Sequence, residues 1–217
     1  MQTDFNDKDF EAGLQIVVVR YPEGLSKWHL VNDYLKLRKT VFIDRLDWPL
    51  FHSSEVEFEQ YDTFDTTYII AVEDGVVVGG ARLRRTDQRS GAGTLKYSYM
   101  IRDACLGLLP GLPDTLCTQT PPLDSDVWEL TRMVVAGSSD ITRKLLDATN
   151  AFLADEGARS VLFLGSPAFQ RMARSFDWPA KTLGPVSGND DGRFQVFECP
   201  VSASGFGKLS AARHAGE

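Results

Sequence analysis

The sequence predicts an α/β chain, a mixed sheet with helices on both faces forming a single α-β-α sandwich. Two observations predict it. Short runs rich in β-branched residues alternate with stretches of helical periodicity, in the order strand, helix, hairpin, loop, strand, helix, strand, helix, strand. The chain is 217 residues long with 43% apolar and 24% charged side chains and shows no compositional break, so residues 1–200 read as one domain able to bury its own core. The Ser/Gly/Ala-rich stretch 201–217 reads as a flexible tail.

Residues 14–19 (LQIVVV) are the first strand, ended by the turn residues Tyr21 to Gly24. Ser26 is the expected cap of a helix whose apolar face runs through Trp28, Val31, Leu35 and Phe42. Residues 68–73 (YIIAVE), the turn Asp74-Gly75 and residues 76–85 (VVVGGARLRR) form a hairpin. Six glycines and prolines between 104 and 126 predict a long irregular excursion with short helical pieces at most. Residues 127–135 (VWELTRMVV) read as a central strand, 139–155 as an amphipathic helix and 160–164 as another strand. Pro167 opens a helix through Arg174, and residues 194–199 (FQVFEC) close the sheet.

Composition excludes several functions. A net charge of −7 without a long basic run argues against nucleic acid as a partner. Cys105, Cys117 and Cys199 are odd in number and lack CxxC spacing, so they read as buried or idle thiols in a reducing cytoplasm. The acidic N-terminal residues carry no signal-peptide core, and no apolar stretch reaches the ~18 residues of a membrane span. His29, His52 and His214 have no partner at ligand spacing, so no metal site is expected.

Arg38 is the first unusual residue, because helical periodicity sets it inside the apolar arc between Leu35 and Phe42. A guanidinium there requires buried anions. Phe42 and Trp48 follow it, then Glu59, Asp62, Arg82 and the strand WELTR, residues 128–132. In that order and at those separations the residues resemble the signature of the N-acyl-homoserine lactone synthases, the LuxI-type autoinducer synthases. The resemblance runs from about residue 14 to 200, and Glu59 stands where the family usually has aspartate.

The resemblance implies a fold like that of GNAT-type acyltransferases and an enzyme of quorum-sensing signal synthesis. Such an enzyme moves an acyl group from an acyl carrier protein or coenzyme A thioester to the amine of S-adenosylmethionine, then closes the lactone and releases methylthioadenosine. S-adenosylmethionine is a substrate, and no cofactor is expected. Arg38, Phe42, Trp48, Glu59, Asp62 and Arg82 are the implied S-adenosylmethionine site: aromatic faces and carboxylates for the sulfonium and ammonium, guanidinium groups for the substrate carboxylate or for locking the acids. Glu129 is the expected general base, with Arg132 its expected partner in the catalytic pair. Strict alternation puts those two on opposite faces, so a bulge is predicted between them. Backbone N–H groups near Met133 to Ala136 are candidate donors to the carbonyl oxygen.

Met133, Phe163 and Leu164 are expected to line the acyl pocket, and the resemblance implies a donor other than 3-oxo, because Phe163 stands about where many family members that prefer 3-oxo chains have a small hydroxyl residue. Arg171 and Arg174, together with Arg143, Lys144 and Lys181, offer a basic surface for an acidic carrier protein. Two other readings compete, a general acyl-CoA-dependent N-acetyltransferase of the same fold and a non-catalytic binding module. Against the first, residues 135–140 (VAGSSD) hold one glycine and an acid where a pyrophosphate cradle would carry a GlnxxGlyxGly pattern.

Overall fold

Residues 12–189, 192–203 and 205 are described by a computed structural model of the chain. The proposed flexible tail lies almost wholly outside them. Strand β1 (Leu14–Arg20) leads through a short 3₁₀ turn into α1 (Trp28–Arg38), then the hairpin β2 (Thr67–Glu73) and β3 (Val76–Arg85). A small hairpin, β4 (Ser90–Ala92) and β5 (Leu95–Tyr97), precedes α2 (Met100–Cys105). Then come β6 (Val127–Val135), α3 (Ser139–Asp155), β7 (Ser160–Gly165), α4 (Pro167–Ser175), β8 (Lys181–Thr182), β9 (Ser187–Asn189) and β10 (Gly192–Pro200).

The strands order as β1-β2-β3-β6-β7-β10-β8, with β9 also on β10. Pairing is antiparallel except at β6–β7, where α3 makes the crossover. The apolar stripe of α3, with Ile141, Leu145 and Leu153, covers one sheet face over Ile69, Ala81, Leu83 and Phe163. Helix α1 covers the other through Val31, Tyr34 and Leu35 against Tyr68 and Ile70. The mixed sandwich expected from the sequence is the fold.

Three local features differ from the sequence expectation. Ser26 does not cap α1, because a 3₁₀ turn, Leu25–Lys27, absorbs it and no side chain caps the helix. The α1 periodicity does not run as α-helix to Phe42. It loosens into a π-helical turn, Lys39–Arg45, closed where the Trp48 N–H donates to the Phe42 carbonyl at 2.9 Å. Ahead of the 104–126 excursion, where no element was expected, β3 is followed by the β4–β5 hairpin, whose Gly91 at φ 116° would place a Cβ 2.2 Å from the Leu95 carbonyl oxygen.

Two irregularities of β6 shape the molecule's main hollow. Gly80 pairs with Val134 and Arg82 with Thr131, so β6 carries one residue more than β3 across this step. The predicted bulge is there, and Arg132 holds it at φ 54°. On its other side β6 pairs with β7 only from Val127 to Leu130, opposite Ser160 to Phe163. Beyond Leu130 the parallel strands part and open a cleft.

Candidate functional site

Three arginines and three carboxylates interlock under α1. The Arg38 guanidinium donates to Asp62 through both terminal nitrogens, at 2.8 and 3.1 Å, and through Nε to Glu57. Arg82 donates to Glu59 at 2.5 Å and approaches Asp62 at 3.3 Å. Arg132 donates to the other Glu59 oxygen at 2.7 Å and lies 3.4 Å from Glu57. Each acid thus bridges two arginines, which repays part of the desolvation that buried charges suffer. Burial pushes Asp62 toward protonation, but Arg82 and Arg38 outweigh it and hold the carboxyl well below its usual range.

The bulge decides the last member of this network. It turns Arg132 to the α1 side beside Thr131, where its carbonyl oxygen accepts the Tyr34 hydroxyl at 2.6 Å. Arg132 is therefore not the partner of Glu129. Glu129 is fully buried and accepts the Met100 and Ile101 amides of the α2 N-terminus at 3.1 and 2.7 Å. Burial pushes its carboxyl up to about 7, against the lowering effect of those amides and of Arg82 and Arg84.

The cleft between β6 and β7 encloses about 800 Å³. One end is aromatic and charged. Phe42 and Trp48 stack at 5.0 Å with planes 2° apart, the Arg132 guanidinium lies 5.9 Å from the Phe42 ring centre, and Glu59 faces the same space. The other end is apolar, formed by Met133, Leu164, Phe169 and Met172 and by the 109–112 stretch of the long excursion.

Of the expected substrate-binding residues, Phe42, Trp48 and Glu59 line the cleft, whereas Arg38, Asp62 and Arg82 stand behind them as buried supports. Met133 and Leu164 line the apolar end. Phe163 does not. Side chains alternate along β7, so Phe163 turns into the α3-side core, stacked on Phe197 at 4.9 Å and edge-on to Trp178. Phe169, 5.6 Å from Phe163, takes the cleft position. The Ala136 amide is spent on the Val78 carbonyl at 2.8 Å, so it is not an oxyanion donor.

Arg171 and Arg174 are both exposed on α4, Arg174 anchored to the Ala180 carbonyl at 2.7 Å. Two participants escaped the sequence reading. Glu57 completes the ion network, and buried Arg84 donates to the Ser98 carbonyl, Thr63 and Ser90 at 2.8, 2.7 and 2.6 Å. Glu57, two residues before Glu59 in an acidic stretch, carries no signal beyond charge. Arg84, two residues after Arg82 on the same strand face, was marked by that spacing. Among the described residues no cluster of His, Cys, Asp and Glu is placed to hold a metal ion, and no helix is long and apolar enough to cross a membrane.

The sequence model of the autoinducer synthases matches residues 24–177, which include the whole ion network and most of the cleft. The chain belongs to the autoinducer synthase family. An acyl-homoserine-lactone synthase of Ralstonia solanacearum is 30% identical over 179 residues, 77% of this chain and 78% of that one. The crystal structure of TofI in a ternary complex with an inhibitor and MTA is similar at a TM-score of 0.69 and 25% identity, over 87% of this chain and 92% of TofI. A structure described as that of an N-acetyltransferase from Lactobacillus plantarum shares the fold at a TM-score of 0.53 and 17% identity, over 88% of this chain and 99% of that one. This autoinducer synthase is an acyltransferase that makes acyl-homoserine lactones, and the general N-acetyltransferase reading falls away.

Proposed function

We propose that the synthase binds S-adenosylmethionine at the Phe42–Trp48–Glu59–Arg132 end of the cleft and lays the acyl chain of a carrier-protein or coenzyme A thioester along Met133, Leu164, Phe169 and Met172. The observation that carries this reading is that one continuous cleft joins an aromatic, charged end to an apolar end. The stacked rings suit a sulfonium, Glu59 the ammonium and Arg132 the carboxylate. Arg38, Asp62, Arg82 and Glu57 hold Glu59 and Arg132 in place, so the network acts as a positioning frame. TofI with bound MTA supports the nucleoside half of this assignment.

For acyl transfer the substrate amine loses a proton and attacks the thioester carbonyl, expelling the donor thiol. Glu129 is the base. Both its oxygens are engaged by amides, so it receives the proton through a water at the Met100 edge of the cleft. The substrate carboxylate then attacks its own γ-carbon, closing the lactone and releasing methylthioadenosine. The reaction needs no cofactor, and the enzyme works in the cytoplasm. Incubation with S-adenosylmethionine and a panel of acyl thioesters tests the reading: methylthioadenosine release with at least one donor is expected, and none with any donor from folded protein overturns it.

A further inference from the structure

Arg84 is held differently from the other buried arginines. Arg38, Arg82 and Arg132 each lie against two carboxylates drawn from Glu57, Glu59 and Asp62. Arg84, 1% exposed, spends its hydrogen bonds on neutral oxygens, the Ser98 carbonyl and the Thr63 and Ser90 hydroxyls. Among the described residues no carboxylate is bonded to it. A buried cation held by neutral groups alone is costly, so its place in the fold points to a role for the charge.

Two links join Arg84 to Glu129. The register sets them directly opposite each other across β3 and β6. Side chains so paired leave the sheet on one face with their Cβ atoms ~4.5–5.5 Å apart, and both residues are 1% exposed. The second link runs through the backbone. Arg84 Nε donates to the Ser98 carbonyl at 2.8 Å, and Met100 and Ile101, just beyond it, supply the amides that Glu129 accepts. Asp103 locks the same segment, accepting the Ser98 amide at 2.9 Å, its hydroxyl at 2.6 Å and the Tyr61 hydroxyl at 2.9 Å.

The other groups around Glu129 are already committed. Arg82 is paired with Glu59 and Asp62. Tyr61 and Tyr99 stay protonated because burial raises both phenols. On α2, Asp103 is bound by Ser98 and Tyr61, and Arg102 by the Pro121 carbonyl. Strand β7 brings the uncharged Leu162 opposite Glu129. Among the described residues this leaves Arg84 as the cation beside Glu129 that no acid has claimed.

We propose that Arg84 is a positioning residue for the reaction: its charge favours the carboxylate form of Glu129 that takes the substrate proton, and its bond to Ser98 holds the amides that orient that carboxylate. The proposal rests on Glu129 being the base. Burial drives Glu129 toward the neutral acid, and Arg84 works against it.

The full-length chain provides the test, with Arg84→Gln, or Arg84→Met where the glutamine variant does not fold, and Arg84→Lys. Difference infrared spectra between each protein and its Glu129→Gln counterpart isolate the Glu129 carboxyl and follow its titration, while methylthioadenosine release gives the pH limb of the rate. Removing the charge should move both up by about one pH unit, which lowers turnover at neutral pH about fivefold and leaves the alkaline plateau reachable. Arg84→Lys keeps the charge with fewer bonds and should hold both near the native value of about 7. Titrations unmoved by loss of the charge, or a lysine variant shifted as far as the uncharged one, overturn the proposal. A carboxyl titration that moves while the rate limb stays supports the hold of Arg84 on Glu129 and overturns Glu129 as the base, so the two failures are distinct.

Discussion

Strands β2, β3 and β6 show α3 the side chains of Ile69, Ala71, Ala81, Leu83 and Leu130, while the alternate residues Tyr68, Arg82, Arg84, Glu129 and Thr131 face the α1 side. The first face is an apolar core. The second buries arginines and carboxylates at under a tenth exposure, against a helix that adds Arg38. Buried ion networks are weak stabilisers compared with packed apolar side chains, so stability does not account for this arrangement. It holds Glu59 and Arg132 rigidly at the rim of a cleft, and the apolar face supplies the stability that this requires.

Glu129→Gln probes the charged face most sharply, because the amide keeps an acceptor for the α2 N-terminus but cannot take a proton. We expect turnover to fall ~10²–10⁴-fold. In the native enzyme the base must be ionised, so the rate should rise with pH through about 7, and the variant should lack that limb. A variant that loses stability but keeps the limb would reduce Glu129 to an anchor of α2.

Arg38→Met and Phe163→Ala compare the two faces directly. The first strands Glu57 and Asp62 and should cost about 3–5 kcal/mol. The second opens a cavity beside Phe197 and Trp178 and should cost a similar 3–5 kcal/mol. Their pH dependences separate them in urea unfolding. The folded pKa of Asp62 lies below its unfolded value, so its contribution is present above the unfolded carboxylate range and is lost as pH falls through the folded pKa. Without Arg38 that carboxyl gains by protonation, so the Arg38→Met deficit should shrink in acid while the Phe163→Ala deficit stays level. Equal pH profiles would mean that the charged face is packed like the apolar one.

Glu59→Asp shortens the bridge between Arg82 and Arg132 by one methylene and should break one of its two bonds, at about 1.5–3 kcal/mol. We expect the KM for S-adenosylmethionine to rise and activity to remain measurable. An inactive variant would mean that the network tolerates no slack. The smallest effect concerns α4, outside both cores. Arg171→Glu should move stability by no more than ~0.5 kcal/mol, and with Arg174→Glu, which also gives up the bond to Ala180, should weaken an acidic carrier-protein donor in a salt-dependent way; unchanged affinity would remove α4 from the docking surface.

Much of this was legible in order along the chain. The strands and helices follow period-2 and period-3.6 patterns, and Arg38 stood out because a charge on an apolar arc demands partners. The bulge was legible as a conflict, since Glu129 and Arg132 could not share a regular strand face. Its outcome was not, because resolving the conflict required Glu57 and Glu59 to arrive from another segment and claim Arg132. Phe163 was misplaced because a strand pattern fixes which residues share a face but not which face meets the cleft.

The sequence by itself determined the element order, the apolar stripe of α3, the aromatic pair Phe42 and Trp48 and the family, because each depends on local periodicity or on residue types at fixed separations. Tertiary structure decided which acid meets which arginine, that Glu129 caps α2 and that Phe169 rather than Phe163 bounds the cleft. Those pairings join segments distant in the chain, and the register of β6 on β3 and the parting of β6 from β7 set them.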